Sequence, residues 1–128
     1  MANIGEDFAR AVAAKDSGAF DRLLAADIDF KGITPGRFWE GTGPAEVASV
    51  FFDSWFEPSD TIEELVDVTT GNDVADTQHV AYRLHLVNDA GQQVAEQQAY
   101  FRTTDGRISH LRVMCSGFRS RPDVGGGD

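Results

Sequence analysis

The residues from 79 to 118 constrain the fold more than any other stretch, because they predict three consecutive antiparallel strands. Apolar residues occupy every second position over 80–86, and this period of two is typical of a strand with one buried face. Asp105-Gly106 supplies two residues that tolerate positive φ, which predicts a tight hairpin between strands over 94–103 and 108–115. The C-terminal half of the chain is therefore predicted to form a meandering sheet.

The residues before this sheet predict three helices and two more strands. Apolar residues recur at helical spacing over 4–15, and the Asp-Ser pair at 16–17 supplies a cap for a second helix. The pattern changes to period two over 26–33, which predicts a short strand. A third helix starts at Pro44, since proline suits the first helical position, and a further strand is predicted over 61–69. The fold class is therefore α+β, with three N-terminal helices packed on a strongly curved, mainly antiparallel sheet.

Residues 32–43 are predicted to form a glycine-rich loop. Phe38 and Trp39 make this loop more aromatic than an ordinary exposed connection. One of these two rings is therefore expected to fold over the core.

Composition limits the partners that the chain can bind. With 128 residues and a formal net charge of −10, the chain suits a single globular domain with an acidic surface. No Lys or Arg occurs between Arg37 and Arg83, so neither nucleic acid nor a membrane is an expected partner. The single cysteine excludes an internal disulfide, and an acidic N-terminal segment without a long apolar run favours a cytoplasmic location.

Two local sequence matches add to the evidence from the order of these elements. One is LLAADIDF at 23–30, where the second helix ends and the first strand begins; the other is AYFRTTDGRISHLRVMC at 99–115, across the last hairpin. With them, the chain resembles the nuclear transport factor 2-like superfamily, in its SnoaL-like and ketosteroid-isomerase-like branch. The resemblance implies a single SnoaL-like domain over 1–118, built as a cone-shaped, cystatin-like α+β barrel around one enclosed apolar cavity, and a homodimer. Residues 119–128 are expected to be a flexible C-terminal tail.

The resemblance also implies catalytic groups, and this sequence lacks them. Ketosteroid isomerases of the superfamily use a tyrosine on the first helix, an aspartate base after the first strand and a protonated aspartic acid on the penultimate strand. The matching positions here are Phe8, Gly32 and Gln98, of which only Gln98 can donate a hydrogen bond. Val113 takes the position of the aspartate base that SnoaL-type cyclases carry on the last strand. Isomerisation of ketosteroids is therefore not expected.

The same alignment of strands predicts which residues face the cavity. It turns Glu96, Gln98 and Tyr100 inward as candidate catalytic residues, with Glu96 as the only candidate acid or base. The alternative, in which this row faces solvent and residues 95, 97, 99 and 101 face inward, remains open. The predicted ligand-binding residues come from helices and strands alike: Phe8, Phe30, Trp39, Phe51, Trp55, Tyr82, Leu84, Leu111, Val113 and Cys115.

The remaining polar residues predict no metal or cofactor. His79, His85 and His110 are expected on the outer face of the sheet, where they favour self-association over a metal site. Cys115 is expected to be a small core residue rather than a nucleophile. The glycine-rich segments lack the spacing of a phosphate-binding loop or a dinucleotide fingerprint.

These residues leave two classes of function open. The first is an enzyme of the isomerase, cyclase or dehydratase type that acts on a small hydrophobic molecule. The second is a non-catalytic module for ligand binding or dimerisation. Fold analogy does not choose between them, because function resides in the site. A buried carboxylate without a charged partner beside the cavity would favour the enzyme, and a cavity lined only by apolar groups would favour binding.

Overall fold

The computed structural model describes residues 3–120. The helical segments are Ile4–Ala13 (α1), Ser17–Leu23 (α2), Pro44–Ser49 (α3) and the π-helical Val50–Trp55, which continues α3. The strands are Leu24–Thr34 (β1), Arg37–Thr42 (β2), Thr61–Thr70 (β3), Gln78–Asn88 (β4), Gly91–Thr104 (β5), Arg107–Cys115 (β6) and Arg119–Ser120 (β7). The N-terminal helices and the four long strands of the C-terminal half confirm the predicted α+β architecture.

Within residues 3–120, the seven strands form one sheet in the order β2-β1-β6-β5-β4-β3, with β7 beside β5. Neighbouring strands are antiparallel except for β1 and β6, which run parallel. The helices cover one face of this sheet: α1 packs against β3 and β4, and both α2 and α3 contact β1. The core lies between the helices and that inner face. In the described part of the chain, no helix has the length and apolarity needed to cross a membrane.

Capping side chains account for where α1 and α2 begin. The Asn3 side chain accepts a hydrogen bond from the backbone N–H of Gly5 at 2.7 Å. Asp16, rather than Ser17, caps α2 by accepting from the backbone N–H of Ala19 at 3.0 Å. These bonds satisfy N–H groups that have no acceptor within their own helix.

The third helix widens into a π-helical turn that buries three aromatic side chains. The backbone N–H of Phe56 donates to the carbonyl of Phe51, five residues earlier, at 2.7 Å. Phe51, Trp55 and Phe56 are all buried, whereas a regular α-helix brings residues three or four apart onto one face. The π-helical segment therefore supplies a large part of the aromatic core, which also contains Phe8, Phe20 and Phe30.

Two parts of the chain differ from the sequence-based expectation. Residues 37–42 form β2 rather than a loop, because they pair with residues 29–34 of β1. On β2, Trp39 folds against Trp55, with ring centroids 6.1 Å apart, whereas Phe38 is 53% exposed. The expected C-terminal tail begins as β7, which pairs with β5, and residues 121–128 lie outside the described residues.

A β-bulge in the β5–β6 hairpin determines which side chains face inward. Close to the turn, Thr103 pairs with Ile108. The pairing then skips Ser109, so that Phe101 pairs with Leu111. This extra residue on β6, the Ser109 bulge, shifts every later pair by one position, and a shift of one residue exchanges the two faces of a strand.

Candidate functional site

A cleft of about 540 Å³ opens at one end of the sheet. It lies where β1 and β6 end, between the turn that joins β4 to β5 and the turn that follows the π-helical segment. Its wall is aromatic, its rim carries carboxylates, and a buried polar row lies behind it. These three parts define the candidate site.

The aromatic wall consists of Trp39, Trp55 and Phe118. The two tryptophan rings meet edge to face at 88°, an arrangement that aromatic pairs favour. Trp39 Nε1 donates to Thr34 Oγ1 at 2.8 Å, which holds that ring in place. Phe118 packs against Phe56, with ring centroids 5.7 Å apart. The wall is therefore anchored on both sides of the cleft.

Trp55 occupies its position because Gly32 has no side chain. A Cβ atom added to Gly32 would lie 2.8 Å from Trp55 Cη2 and 2.9 Å from Cζ2, closer than packed carbon atoms approach. Gly32 is also the position that the sequence resemblance predicts to match the aspartate base of the ketosteroid isomerases. An aspartate side chain at residue 32 would overlap the indole ring of Trp55.

A polar row crosses the inner face of the sheet behind the cleft. Tyr82, Gln97 and Cys115 are cross-strand neighbours on β4, β5 and β6. Thr34 on β1 lies beside Cys115, since the preceding residues, Ile33 and Met114, are paired. The Tyr82 hydroxyl donates to Gln97 Oε1 at 2.6 Å. This contact orients the buried Gln97 amide and leaves its nitrogen on the side away from the Tyr82 hydroxyl.

Burial keeps this row uncharged. It raises the pKa of Tyr82 well above the usual value, and Cys115 acts in the same direction. Burial also raises the pKa of the Cys115 thiol, and the neighbouring polar groups of Gln97 and Gly117 partly offset that rise. The row therefore offers a neutral hydroxyl, amide and thiol at pH 7.

Asp60 is a buried carboxylate at the rim of the cleft, with 7% exposure. Its Oδ2 accepts from the backbone N–H of Glu57, and its Oδ1 accepts from Asn88 Nδ2, both at 2.9 Å. Lys15 Nζ donates to the backbone carbonyls of Glu57 and Asp60. Among residues 3–120, no cationic side chain forms an ion pair with the Asp60 carboxylate.

The predicted catalytic row lies on the outer face of the sheet. Gln98 and Tyr100 are exposed, and Glu96 is half-buried there, with its Oε2 2.6 Å from Arg83 Nε. The expectation that Glu96, Gln98 and Tyr100 face the cavity is therefore wrong. The physical reason is the Ser109 bulge, which turns the alternative set at 95, 97, 99 and 101 inward.

The predicted ligand-binding residues divide into two groups. Trp39, Trp55 and Cys115 line the cleft. The others lie in the core, each no more than 3% exposed: Phe8, Phe30, Phe51, Tyr82, Leu84, Leu111 and Val113. The sequence predicts an enclosed cavity, but aromatic rings at centroid distances of 5.4–6.0 Å fill the space between helices and sheet. The cleft lies instead at the end of the sheet and is open to solvent.

The cleft residues that the prediction missed include Asp60, Asn88 and Phe118. Each lies where an element begins or ends, in a position without periodicity. Their only sequence signal is this location beside a turn, which functional residues favour.

The histidines lie away from the cleft. His79, His85 and His110 are half-buried among the outward residues of β4 and β6. Burial, with Arg112 and Arg102 as the next contributors, lowers the pKa of His110. Within residues 3–120, no group of three or more His, Cys, Asp or Glu side chains is arranged to hold a metal ion.

The chain belongs to the SnoaL-like domain family, whose pattern it matches over residues 6–111. No curated protein sequence is significantly similar to it. The match over residues 6–111 confirms the predicted family membership. A solved structure with the same fold confirms the cone-like α+β architecture of the nuclear transport factor 2-like proteins.

Solved structures with the same fold are named for several different activities. A proposed isomerase from Rhodopseudomonas palustris has a TM-score of 0.71 at 16% identity, over 91% of this chain and 92% of that one. An LEH-like epoxide hydrolase from M. tuberculosis has a TM-score of 0.64 at 18% identity, over 88% and 80%. A proposed polyketide cyclase from Pseudomonas putida has a TM-score of 0.64 at 19% identity, over 86% of each chain. At these identities the similarity establishes the fold alone.

Cys115 should react slowly with alkylating reagents in the folded protein. Burial raises its pKa, and only the thiolate reacts. At a pH near the ordinary thiol pKa of about 8.5, we expect iodoacetamide to modify the native protein at least about tenfold more slowly than the urea-unfolded chain. Mass spectrometry gives both rates without ambiguity, because the chain has one cysteine. Glutathione in the same two buffers is the control for the effect of urea on the reagent. Equal rates for the native and the unfolded protein would contradict the burial of Cys115.

Proposed function

We propose that this chain binds a small, uncharged, largely apolar molecule in the cleft. The observation that carries the proposal is the wall of Trp39, Trp55 and Phe118 around a volume of about 540 Å³. Ligand pockets of roughly 300–1,000 Å³ with aromatic linings are typical of small-molecule sites. The rim carboxylates of Glu57, Asp60 and Asp89 disfavour an anionic ligand.

The aromatic wall can be tested with two neighbouring residues that point to opposite faces of β2. We expect 2-ethylnaphthalene, an uncharged probe without a hydrogen-bond acceptor, to bind the wild-type protein in calorimetric titration. Trp39→Ala removes a ring of the wall and should weaken binding about tenfold or more, since an aromatic side chain contributes roughly 1.5–3 kcal/mol on burial.

Phe38→Ala is the matched control, because Phe38 is exposed on the outer face and its loss should leave the affinity unchanged. The melting temperature of each variant shows whether the fold is retained. Equal loss of binding in both variants, or no binding of the probe by the wild-type protein, would refute the proposed site.

A second candidate function is proton abstraction by Asp60. The observation that favours it is a carboxylate that is buried, borders the cleft and has no ion-pair partner among the described residues. A positioned carboxylate can act as a general base, and Asn88 Nδ2 holds this one by a hydrogen bond. Isomerase and cyclase reactions, named for some structural relatives, are compatible with such a group.

Hydrogen–deuterium exchange provides a test that needs no known substrate. The acetyl hydrogens of 2-acetylnaphthalene exchange in D₂O when a base removes them, and mass spectrometry records the rate. If Asp60 is a base, the wild-type protein should accelerate exchange, and Asp60→Asn should lower the acceleration by about 10²-fold or more. Asp105→Asn, in the distant β5–β6 turn, is the control and should behave like the wild type. A wild-type rate equal to that of buffer leaves binding alone as the function.

We also propose that two copies associate through the outer face of the sheet. Three exposed apolar residues, Phe38, Ile33 and Met114, are successive cross-strand neighbours on β2, β1 and β6. Contiguous exposed apolar residues are typical of interaction sites. Arg112 lies within 3.5 Å of Asp29 beside this row, so these two charges offset each other although the chain carries −10. Two copies can therefore meet here in an isologous contact without strong repulsion.

Sedimentation equilibrium at micromolar concentration should give twice the chain mass of 13.9 kDa. Met114→Lys places a charge in the centre of the apolar row and should shift the protein to the monomer. Val74→Lys is the control, because Val74 is an exposed apolar residue outside the row, at 76% exposure. A monomeric wild-type protein would contradict the proposed association.

A further inference from the structure

Two buried hydrogen-bond donors beside the cleft lack acceptors. Trp55 Nε1 and Gln97 Nε2 have no hydrogen-bond partner among the residues that the structure describes. Their side chains are 7% and 1% exposed. Buried donors almost always find an acceptor, because an unsatisfied donor loses its hydrogen bonds to water without replacement. Two such groups behind one cleft indicate that something else supplies the acceptor.

Both donors belong to residues that line the cleft or adjoin its lining. Trp55 itself lines the cleft, and its ring is fixed against Gly32. Gln97 is the cross-strand neighbour of Cys115, which also lines the cleft. A ligand in the cleft therefore contacts Trp55 and Cys115 and lies one strand away from Gln97.

The surroundings select the kind of acceptor. The Tyr82 hydroxyl donates to Gln97 Oε1 at 2.6 Å, which turns the amide N–H groups away from Tyr82 and polarises them. No Lys or Arg is among the described residues that line the cleft, whereas Glu57, Asp60 and Asp89 are. Neutral donors inside and carboxylates at the rim suit an uncharged oxygen acceptor and disfavour a carboxylate or phosphate.

We infer that the inner end of the cleft recognises the carbonyl oxygen of an uncharged ligand, with Trp55 Nε1 and Gln97 Nε2 as donors. This inference rests on the proposed function, because it assigns a ligand class to the same cleft. The carbonyl oxygen points inward to the two donors, and the apolar body of the ligand lies against Trp39 and Phe118.

The test compares two molecules of nearly the same shape, 2-acetylnaphthalene with a carbonyl oxygen and 2-ethylnaphthalene without one. We expect the ketone to bind about tenfold more tightly, the effect of one or two additional hydrogen bonds. In proton–nitrogen NMR spectra, the ketone alone should shift the indole N–H of Trp55 downfield. The chain has two tryptophans, and Trp39→Phe assigns the signals while retaining the Trp55 donor.

Two variants separate the donors. Trp55→Phe keeps an aromatic ring but loses the N–H, and should reduce the preference for the ketone while 2-ethylnaphthalene still binds. The double change Tyr82→Phe with Gln97→Met removes the second donor together with its partner, so that no hydroxyl is left unpaired. It should also reduce the preference. If either variant fails to fold, the indole shift in the wild-type protein still decides the question.

The outcomes distinguish this inference from the proposed function. If both probes bind with equal affinity and equal indole shifts, the carbonyl assignment is overturned and the apolar site stands. If neither probe binds, both are overturned. If 2-naphthoate binds more tightly than the ketone, the site is for anions, which likewise contradicts the inference.

Discussion

The register of the β5–β6 hairpin is the constraint on which the rest of the interior depends. An uninterrupted two-residue hairpin at Asp105-Gly106 would pair Tyr100 with Leu111, and directly opposed residues share a face. Because the Ser109 bulge adds one residue to β6, Leu111 pairs with Phe101 instead. The pairing of β4 with β5 then sets which side chains of β4 face inward. One inserted residue thus decides the inner face of the central strands.

The chemistry of the cleft follows from this register. The bulge brings Gln97, rather than Gln98, to the inner face between Tyr82 and Cys115. A buried amide is tolerated when its groups are hydrogen-bonded, and Tyr82 satisfies one side. The other side is directed away from Tyr82, in the row that ends at the cleft. Gly32 completes the arrangement by leaving room for the indole ring of Trp55.

Local patterns predict the elements of this fold but not their exact registration. The period of two over 80–86 and the cap at Asp16 or Ser17 are properties of neighbouring residues, and the structure confirms both, with Asp16 as the cap. Nothing near Ser109 distinguishes it from an ordinary strand residue. Its hydroxyl lies 2.9 Å from Thr104 Oγ1 across the bulge, a contact that exists only once the hairpin has formed. Likewise, aromatic composition predicts a core, but packing decides that Phe51 is buried while Trp39 lines the cleft.

The acidic charge of the chain and its aromatic cleft have complementary effects on ligand choice. A net charge of −10, with carboxylates at the cleft rim, opposes anions at long range and at contact. Hydrophobic contact with Trp39 and Phe118 is non-directional and does not distinguish one apolar molecule from another. Directional selection therefore requires polar groups inside the cleft. Trp55 Nε1 and Gln97 Nε2 are the buried donors left without partners in the described chain, so the specificity of the site depends on what they bind.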